Sequence, residues 1–145
     1  MPIKQVSPAE AHELIRSGCR YLDVRTEPEF SAGHPATAVN VPVFFRDASS
    51  GQMVPNPDFL EVVQRYFPKD MAIVVGCMSG MRSQRACEIL EGAGYTDLTN
   101  VTGGFGGQRD ASGAIIAKGW RDEGLPVSSD VGDAGYQALR KKAGM

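Results

Sequence analysis

Apolar residues recur along this chain at two different periods, and the period switches several times. Between Pro8 and Gly18, Ala11, Leu14 and Ile15 keep helical spacing, and Ser7-Pro8-Ala9-Glu10 offers an N-cap, a proline at the first helical position and a reciprocal glutamate. This predicts a short helix stopped by Gly18. Tyr21 to Val24 reads as a buried strand and Ala38 to Val41 as another, ended by Pro42, with a polar loop between them. Asn56-Pro57-Asp58 caps a second predicted helix, in which Phe59, Leu60, Val62, Val63 and Phe67 fall on one side before Pro68 ends it. Ala72 to Val75 is a continuous apolar run with β-branched residues, the pattern of a central strand covered on both faces. Ala86, Ile89, Leu90 and Ala93 then line a helix closed by Gly92 and Gly94, and Leu98 to Val101 predicts one more strand. Strands interleaved with helices predict an α/β fold built on a mainly parallel sheet.

At 145 residues the chain fits one domain with a real core. Fifteen Lys and Arg against seventeen Asp and Glu give a formal charge of -2, and the basic residues are scattered, which argues against a nucleic-acid or membrane-surface partner and for a small one. Cysteines stand only at 19, 77 and 87, with no C-x-x-C spacing, so neither a disulfide framework nor a metal site is expected, and no cofactor is called for. Reduced cysteines point to a cytoplasmic protein. The opening MPIKQVSPAEAHELI has no apolar run of signal-peptide length, and nothing approaches the roughly 18 apolar residues of a membrane span. Residues 128–145 contain Gly132, Gly135 and Arg140-Lys141-Lys142 with a weak apolar pattern, and read as a loosely docked or frayed tail.

The chemistry concentrates in VVGCMSGMRSQRA, residues 74–86. Ligands of parallel α/β sheets sit beyond the carboxyl ends of the strands, and Cys77 occupies that address, between a strand and a helix. A sulfur just before a helix N-terminus meets the positive end of the macrodipole and a ring of backbone N–H groups, which favours a thiolate nucleophile. Gly76 and Gly80 let the main chain curl around the sulfur, and Arg82 adds a charge able to grip an anion. Cys19 and Cys87 have no such setting and read as small core hydrophobes.

These residues resemble a family. Cys77-Met78-Ser79-Gly80-Met81-Arg82-Ser83 is similar to the active-site loop of rhodanese-type sulfurtransferases, C-x-x-G-x-[RT]-S. Leu22-Asp23-Val24-Arg25, Glu29-Phe30, Gly33-His34 and Asn40-Val41-Pro42 resemble the family's D-V-R, E-[FY], G-H and N-[VI]-P. Gly103-Gly104-Phe105, then Trp120 with Gly124-Leu125-Pro126, resemble its closing motifs. The resemblance implies one rhodanese domain over residues 1–127: a largely parallel five-stranded sheet with helices on both faces. It also implies that Cys77 takes a sulfane sulfur from a small anionic donor as a persulfide and passes it to cyanide or a thiol, a protein thiol included. Met78, Ser79, Gly80, Met81, Arg82 and Ser83 would form the donor-binding loop, with Arg25 in support. Asp23 and His34 are expected to hold loops in place, and His12 to lie on the surface.

Two rival classes are weighed against this. Cysteine-dependent phosphatases and arsenate reductases use C-x5-R, whereas Cys77 and Arg82 make C-x4-R, a ring one residue short for a tetrahedral oxyanion. A noncatalytic rhodanese-like binding module usually lacks the cysteine. A cationic loop suits thiosulfate, and CMSGMR differs from the C-G-[ST]-G-[VT]-T of 3-mercaptopyruvate enzymes. The sequence departs from the family pattern twice. Pro35-Ala36-Thr37-Ala38 replaces the common I-P-G-A, and the closing tryptophan stands at 120 where the pattern places it at 108. Twelve residues have entered, within about 106–119; Ala114 to Ala117 reads as a short strand, and the whole as a tolerated surface insertion.

Overall fold

The computed structural model describes residues 3–145. The chain begins β1 (Lys4–Val6), α1 (Pro8–Arg16), β2 (Arg20–Asp23), α2 (Glu27–Ala32), β3 (His34–Pro35) and β4 (Val39–Asn40). It continues through β5 (Phe44–Arg46), β6 (Met53–Pro55), α3 (Phe59–Tyr66), β7 (Ile73–Gly76), α4 (Met81–Gly92) and β8 (Leu98–Val101). The last part holds β9 (Gln108–Arg109), β10 (Ile115–Ala117), β11 (Val127–Ser128), a 3-10 turn (Gly132–Ala134) and α5 (Tyr136–Lys142). Five strands form a parallel sheet in the order β1-β8-β7-β2-β4.

Alternation along the central strands divides the core in two. Leu22, Ile73, Val75 and Leu98 face one cluster with Phe59, Val62 and Val63 of α3 and Ala86, Cys87 and Leu90 of α4. Tyr21, Val74 and Val101 face the other, with Ala11 of α1, Phe30, Phe105 and Trp120. A parallel strand covered on both faces needs apolar residues at every position, which is why β7 reads as an unbroken run. The chain leaves β2 outward to β4 and leaves β7 outward to β8, so the sheet reverses direction between β2 and β7. The carboxyl ends of these two strands therefore frame the crevice where this architecture binds ligands.

The helix and strand cores predicted from periodicity are present, and the short elements between them are the new findings. The polar loop expected before β4 contains α2, which begins as a capping box. Glu29 accepts from the Thr26 amide at 3.1 Å and from the Thr26 hydroxyl at 2.9 Å. Six residues with a single buried apolar side chain, Phe30, leave no readable period. The expectation of a frayed C-terminal tail is corrected. β11 pairs with β3, and α5 buries Tyr136 and Leu139 against the cluster under α3. Asn56 donates to the Tyr136 hydroxyl at 2.9 Å, Arg140 pairs with Asp58 at 2.9 Å, and the Tyr66 hydroxyl donates to the Leu139 carbonyl. Two buried side chains on a seven-residue helix hold it by packing, a contribution that sequence period alone does not register.

Candidate active site

The turn between β7 and α4 is shaped by what surrounds it. At Gly76 a Cβ would stand 1.8 Å from the Tyr21 hydroxyl, so only glycine lets the strand end beneath that ring. Gly80, the residue before α4, takes a left-handed φ of 108° and brings its amide to 3.0 Å from Cys77 Sγ. Ser83, in the first turn of α4, places its hydroxyl 3.4 Å from the same sulfur.

The carbonyls of residues 77 to 80 are each held by a donor from outside the loop. The Phe105 amide donates to the Cys77 carbonyl at 2.8 Å, and the Gly106 amide to that of Met78 at 2.9 Å. The Gln108 side chain donates to the Ser79 carbonyl at 2.8 Å, and Asn100 Nδ2 to that of Gly80 at 3.3 Å. In a trans peptide the N–H points opposite to the preceding carbonyl. Pinning four carbonyls outward therefore turns the amides of residues 78 to 81 inward, and the unpaired first-turn N–H groups of α4 add to them. Gly104 makes this possible, since a Cβ there would lie 2.4 Å from the Cys77 carbonyl oxygen.

The insertion proves to be a hairpin, β9 against β10, with Gly113 in its turn. The strand suggested at 114–117 is observed as Ile115–Ala117. The chain returns so that the Trp120 amide donates to the Gly104 carbonyl at 2.8 Å. Gln108, at the foot of the hairpin, is the side chain holding Ser79, so part of the inserted segment supports the cysteine loop.

The charged residues are distributed differently from the expectation. Arg82 carries its guanidinium to Glu29 of α2 in a bidentate pair, 2.7 and 2.9 Å long. The positive group beside Cys77 thus arrives already partnered. Arg25, expected in support of donor binding, is buried: it binds Asp23 through contacts of 2.8–3.2 Å, donates to the Gly33 carbonyl at 2.7 Å and lies 4.5 Å from the centre of the Phe105 ring. Its guanidinium is committed to holding the loops after β2 and α2 under Phe105. Asn40 ties the same corner, donating to the carbonyls of Asp23 and Arg25. Of the loop residues, Gly80 and Ser83 reach the sulfur, Met78 and Ser79 lend their carbonyls, and Met81 is 78% exposed.

The Arg82–Glu29 pair carries a pH signature. Burial pushes the Glu29 carboxyl upward, but the Arg82 hydrogen bonds and charge, with those from Thr26, outweigh it and bring it from 4.5 down to about 2. A depressed carboxylate stabilises the fold above its unfolded value and loses that contribution as pH falls towards the folded value. Glu29→Gln is expected to lower unfolding stability by about 1.5–3 kcal/mol at pH 6. The gap should close between pH 4.5 and about 2, as urea midpoints measured across that range will show. A gap that persists undiminished at pH 2 would contradict the pairing.

The remaining candidates have structural settings. Cys87 is fully buried, and desolvation together with the nearby Cys77 pushes its thiol up to about 12, so it stays protonated. Cys19 is half-buried, and its thiol is raised by desolvation and by Asp97. His34 stacks on Phe30 and makes a 2.7 Å hydrogen bond with the Phe30 carbonyl, holding the turn after α2. His12, expected at the surface, is half-buried with its ring edge-on to Trp120. Thr37 stands where the pattern has glycine and takes a left-handed φ of 76°, so the altered turn keeps a conformation costly for a β-branched residue.

Among known proteins, the model of the Rhodanese-like domain matches residues 7–110, a span that includes this loop. The chain belongs to the rhodanese-like family. It is 43% identical over 124 residues to thiosulfate sulfurtransferase 16, chloroplastic, of Arabidopsis thaliana, covering 86% of this chain and 92% of that protein. Thiosulfate sulfurtransferase 18 of the same plant is 35% identical over 130 residues, covering 88% and 85%. The crystal structure of Rv0390 from M. tuberculosis superposes with a TM-score of 0.72 at 31% identity, over 90% of this chain and all of that one. The rhodanese-like α/β fold, with its five-stranded parallel sheet and flanking helices, is therefore the one expected from the sequence. Sequence reasoning missed Glu29, Asn100 and Gln108 as site residues. Glu29 lay in the E-F motif, whereas Asn100 and Gln108 act through folds of the chain that no local pattern announces.

Proposed function

We propose that this protein is a rhodanese-type sulfurtransferase in which Cys77 carries the sulfur. The observation that supports this reading most directly is the sulfur of Cys77 at the entrance to α4, 3.0 Å from the Gly80 amide, inside a loop whose four carbonyls are tied outward. Such a ring of inward donors suits a negative charge that moves by one atom during the reaction.

With thiosulfate, the Cys77 thiolate attacks the outer sulfur. A new S–S bond forms as the S–S bond of thiosulfate breaks, and sulfite leaves with the electron pair. The persulfide's outer sulfur then lies deeper in the ring of amides. Cyanide or a thiolate attacks that sulfur and the Cys77 thiolate departs, regenerating the starting state. No proton-transfer base is needed once the sulfur is ionised. Names of the plant relatives, the anion-suited loop and the C-x4-R spacing favour thiosulfate or a low-molecular-weight persulfide as substrate over a phosphate ester or arsenate. The acceptor is a small thiophile or a thiol, including one on a protein.

A covalent carrier imposes ping-pong kinetics. Initial rates with thiosulfate and cyanide varied together are expected to give parallel double-reciprocal lines. Intersecting lines would mean that both substrates occupy the site at once and would remove the persulfide intermediate.

A further inference from the structure

The Ser83 hydroxyl stands between two acceptors and has one proton to give. Asn100 Oδ1 lies 2.5 Å away and Cys77 Sγ 3.4 Å away. The orientation of the Asn100 amide follows from its surroundings, because its Nδ2 lies 3.3 Å from the Gly80 carbonyl and 2.9 Å from Gln5 Oε1. The Gly80 carbonyl can only accept, so the NH2 group faces it and Oδ1 faces Ser83. Ser83 and Asn100 are both buried, so water does not compete for the proton. The shorter contact takes it, and the serine oxygen turns its lone pairs towards the sulfur.

We infer that Asn100 is a positioning residue for sulfur chemistry: by accepting the Ser83 proton, it keeps that hydroxyl from donating to Cys77. This deepens the reading of Cys77 as the nucleophile and rests on it. A hydrogen bond to a thiolate increases the amount of thiolate at low pH but blunts each thiolate, since nucleophilicity falls as basicity falls. Keeping the Ser83 hydroxyl directed at Asn100 preserves the attacking power of the sulfur, while the backbone amides supply its stabilisation. The persulfide changes the geometry: its charge sits on the outer sulfur, beyond the reach of Ser83, and the amides of the ring receive it.

The consequence is a rate profile that crosses. Removing the Asn100 acceptor frees Ser83 to donate to the sulfur. In Asn100→Ala, alkylation of Cys77 by iodoacetamide, followed by the mass of the Cys77 peptide, should be about threefold faster at pH 5 and about threefold slower at pH 10 than in the parent, given a Brønsted slope near one half. Arg82, Tyr21 and Cys87 also act electrostatically on the sulfur or feel it, and they are present in each protein compared. On a Ser83→Ala background the same Asn100 substitution should produce no crossing, because the hydroxyl is gone. Asn100→Leu, closer in volume, repeats the test if alanine fails to fold. Asn100→Asp keeps an acceptor for Ser83 and adds negative charge, so its rate at pH 5 should fall below the parent's.

A purely structural Asn100 would, when removed, loosen the Gly80 turn and shift the rate in one direction at both pH values. That result, a crossing that survives Ser83→Ala, or a faster Asn100→Asp at pH 5 would overturn the inference. Alkylation reads the sulfur without any transfer to an acceptor. A crossing in a protein that forms no persulfide would therefore leave the positioning role standing and remove the sulfurtransferase reading.

Discussion

Cys77→Ser is expected to reduce thiosulfate:cyanide sulfur transfer to background, while Cys87→Ala and Cys19→Ser stay within about twofold of the parent. A serine hydroxyl in the same ring of amides is not ionised near neutral pH and forms no persulfide. Cys87 is close enough to influence the same sulfur, but its thiol is buried and held up near 12, so it offers neither nucleophile nor exit path. Alanine is the substitution of choice there, because a serine would place an unmatched hydroxyl in the core. A folded Cys87→Ala that loses transfer would point instead to a relay between two cysteines. Circular dichroism and a urea transition distinguish that outcome from unfolding.

Gly104→Ala should be nearly as damaging to activity without touching the sulfur. The added methyl would stand 2.4 Å from the Cys77 carbonyl oxygen and 2.8 Å from the Met78 carbonyl carbon, both of them main-chain atoms that cannot rotate away. Either the loop or the Gly103-Gly104 segment must move, and with it the hydrogen bonds from the Phe105 and Gly106 amides that turn the ring inward. A displacement approaching 1 Å costs on the order of 100-fold in rate. Gly104 also has a left-handed φ of 55°, which an alanine holds at a cost of about 1–2 kcal/mol. Gly113→Ala separates the two effects. That glycine is left-handed too, with φ of 88°, but nothing lies within 4 Å of its added Cβ. It should lose a similar increment of stability and keep near-parent activity. Equal loss of transfer in both variants would show that the clash with the cysteine loop is not what matters.

The long elements were legible because burial on one or both faces leaves a period. α1, α3, α4 and the three strands β2, β7 and β8 all carry it, and the motif around Cys77 followed from its place between β7 and α4. β1 escaped because its three residues, Lys4 to Val6, have no apolar alternation and are ordered by pairing with β8. α2 and α5 escaped because each is short and buries only one or two side chains. The place of Cys77 in the turn between β7 and α4 was legible as well. What the sequence did not show was partnership: that Arg82 spends its fork on Glu29, that Arg25 is sealed under Phe105, and that Asn100 holds Ser83. Each is a contact between residues 17 to 80 positions apart, and its identity depends on how the elements pack rather than on any local spacing.

The claim that Cys77 carries sulfur is tested most directly by the intact mass of the protein after incubation with thiosulfate and removal of the excess. The account predicts a gain of about 32 Da, located on the peptide containing Cys77, absent from Cys77→Ser, and lost on adding cyanide. A protein that turns over thiosulfate and cyanide with no such gain, or that carries the added sulfur on Cys19 or Cys87, would contradict it.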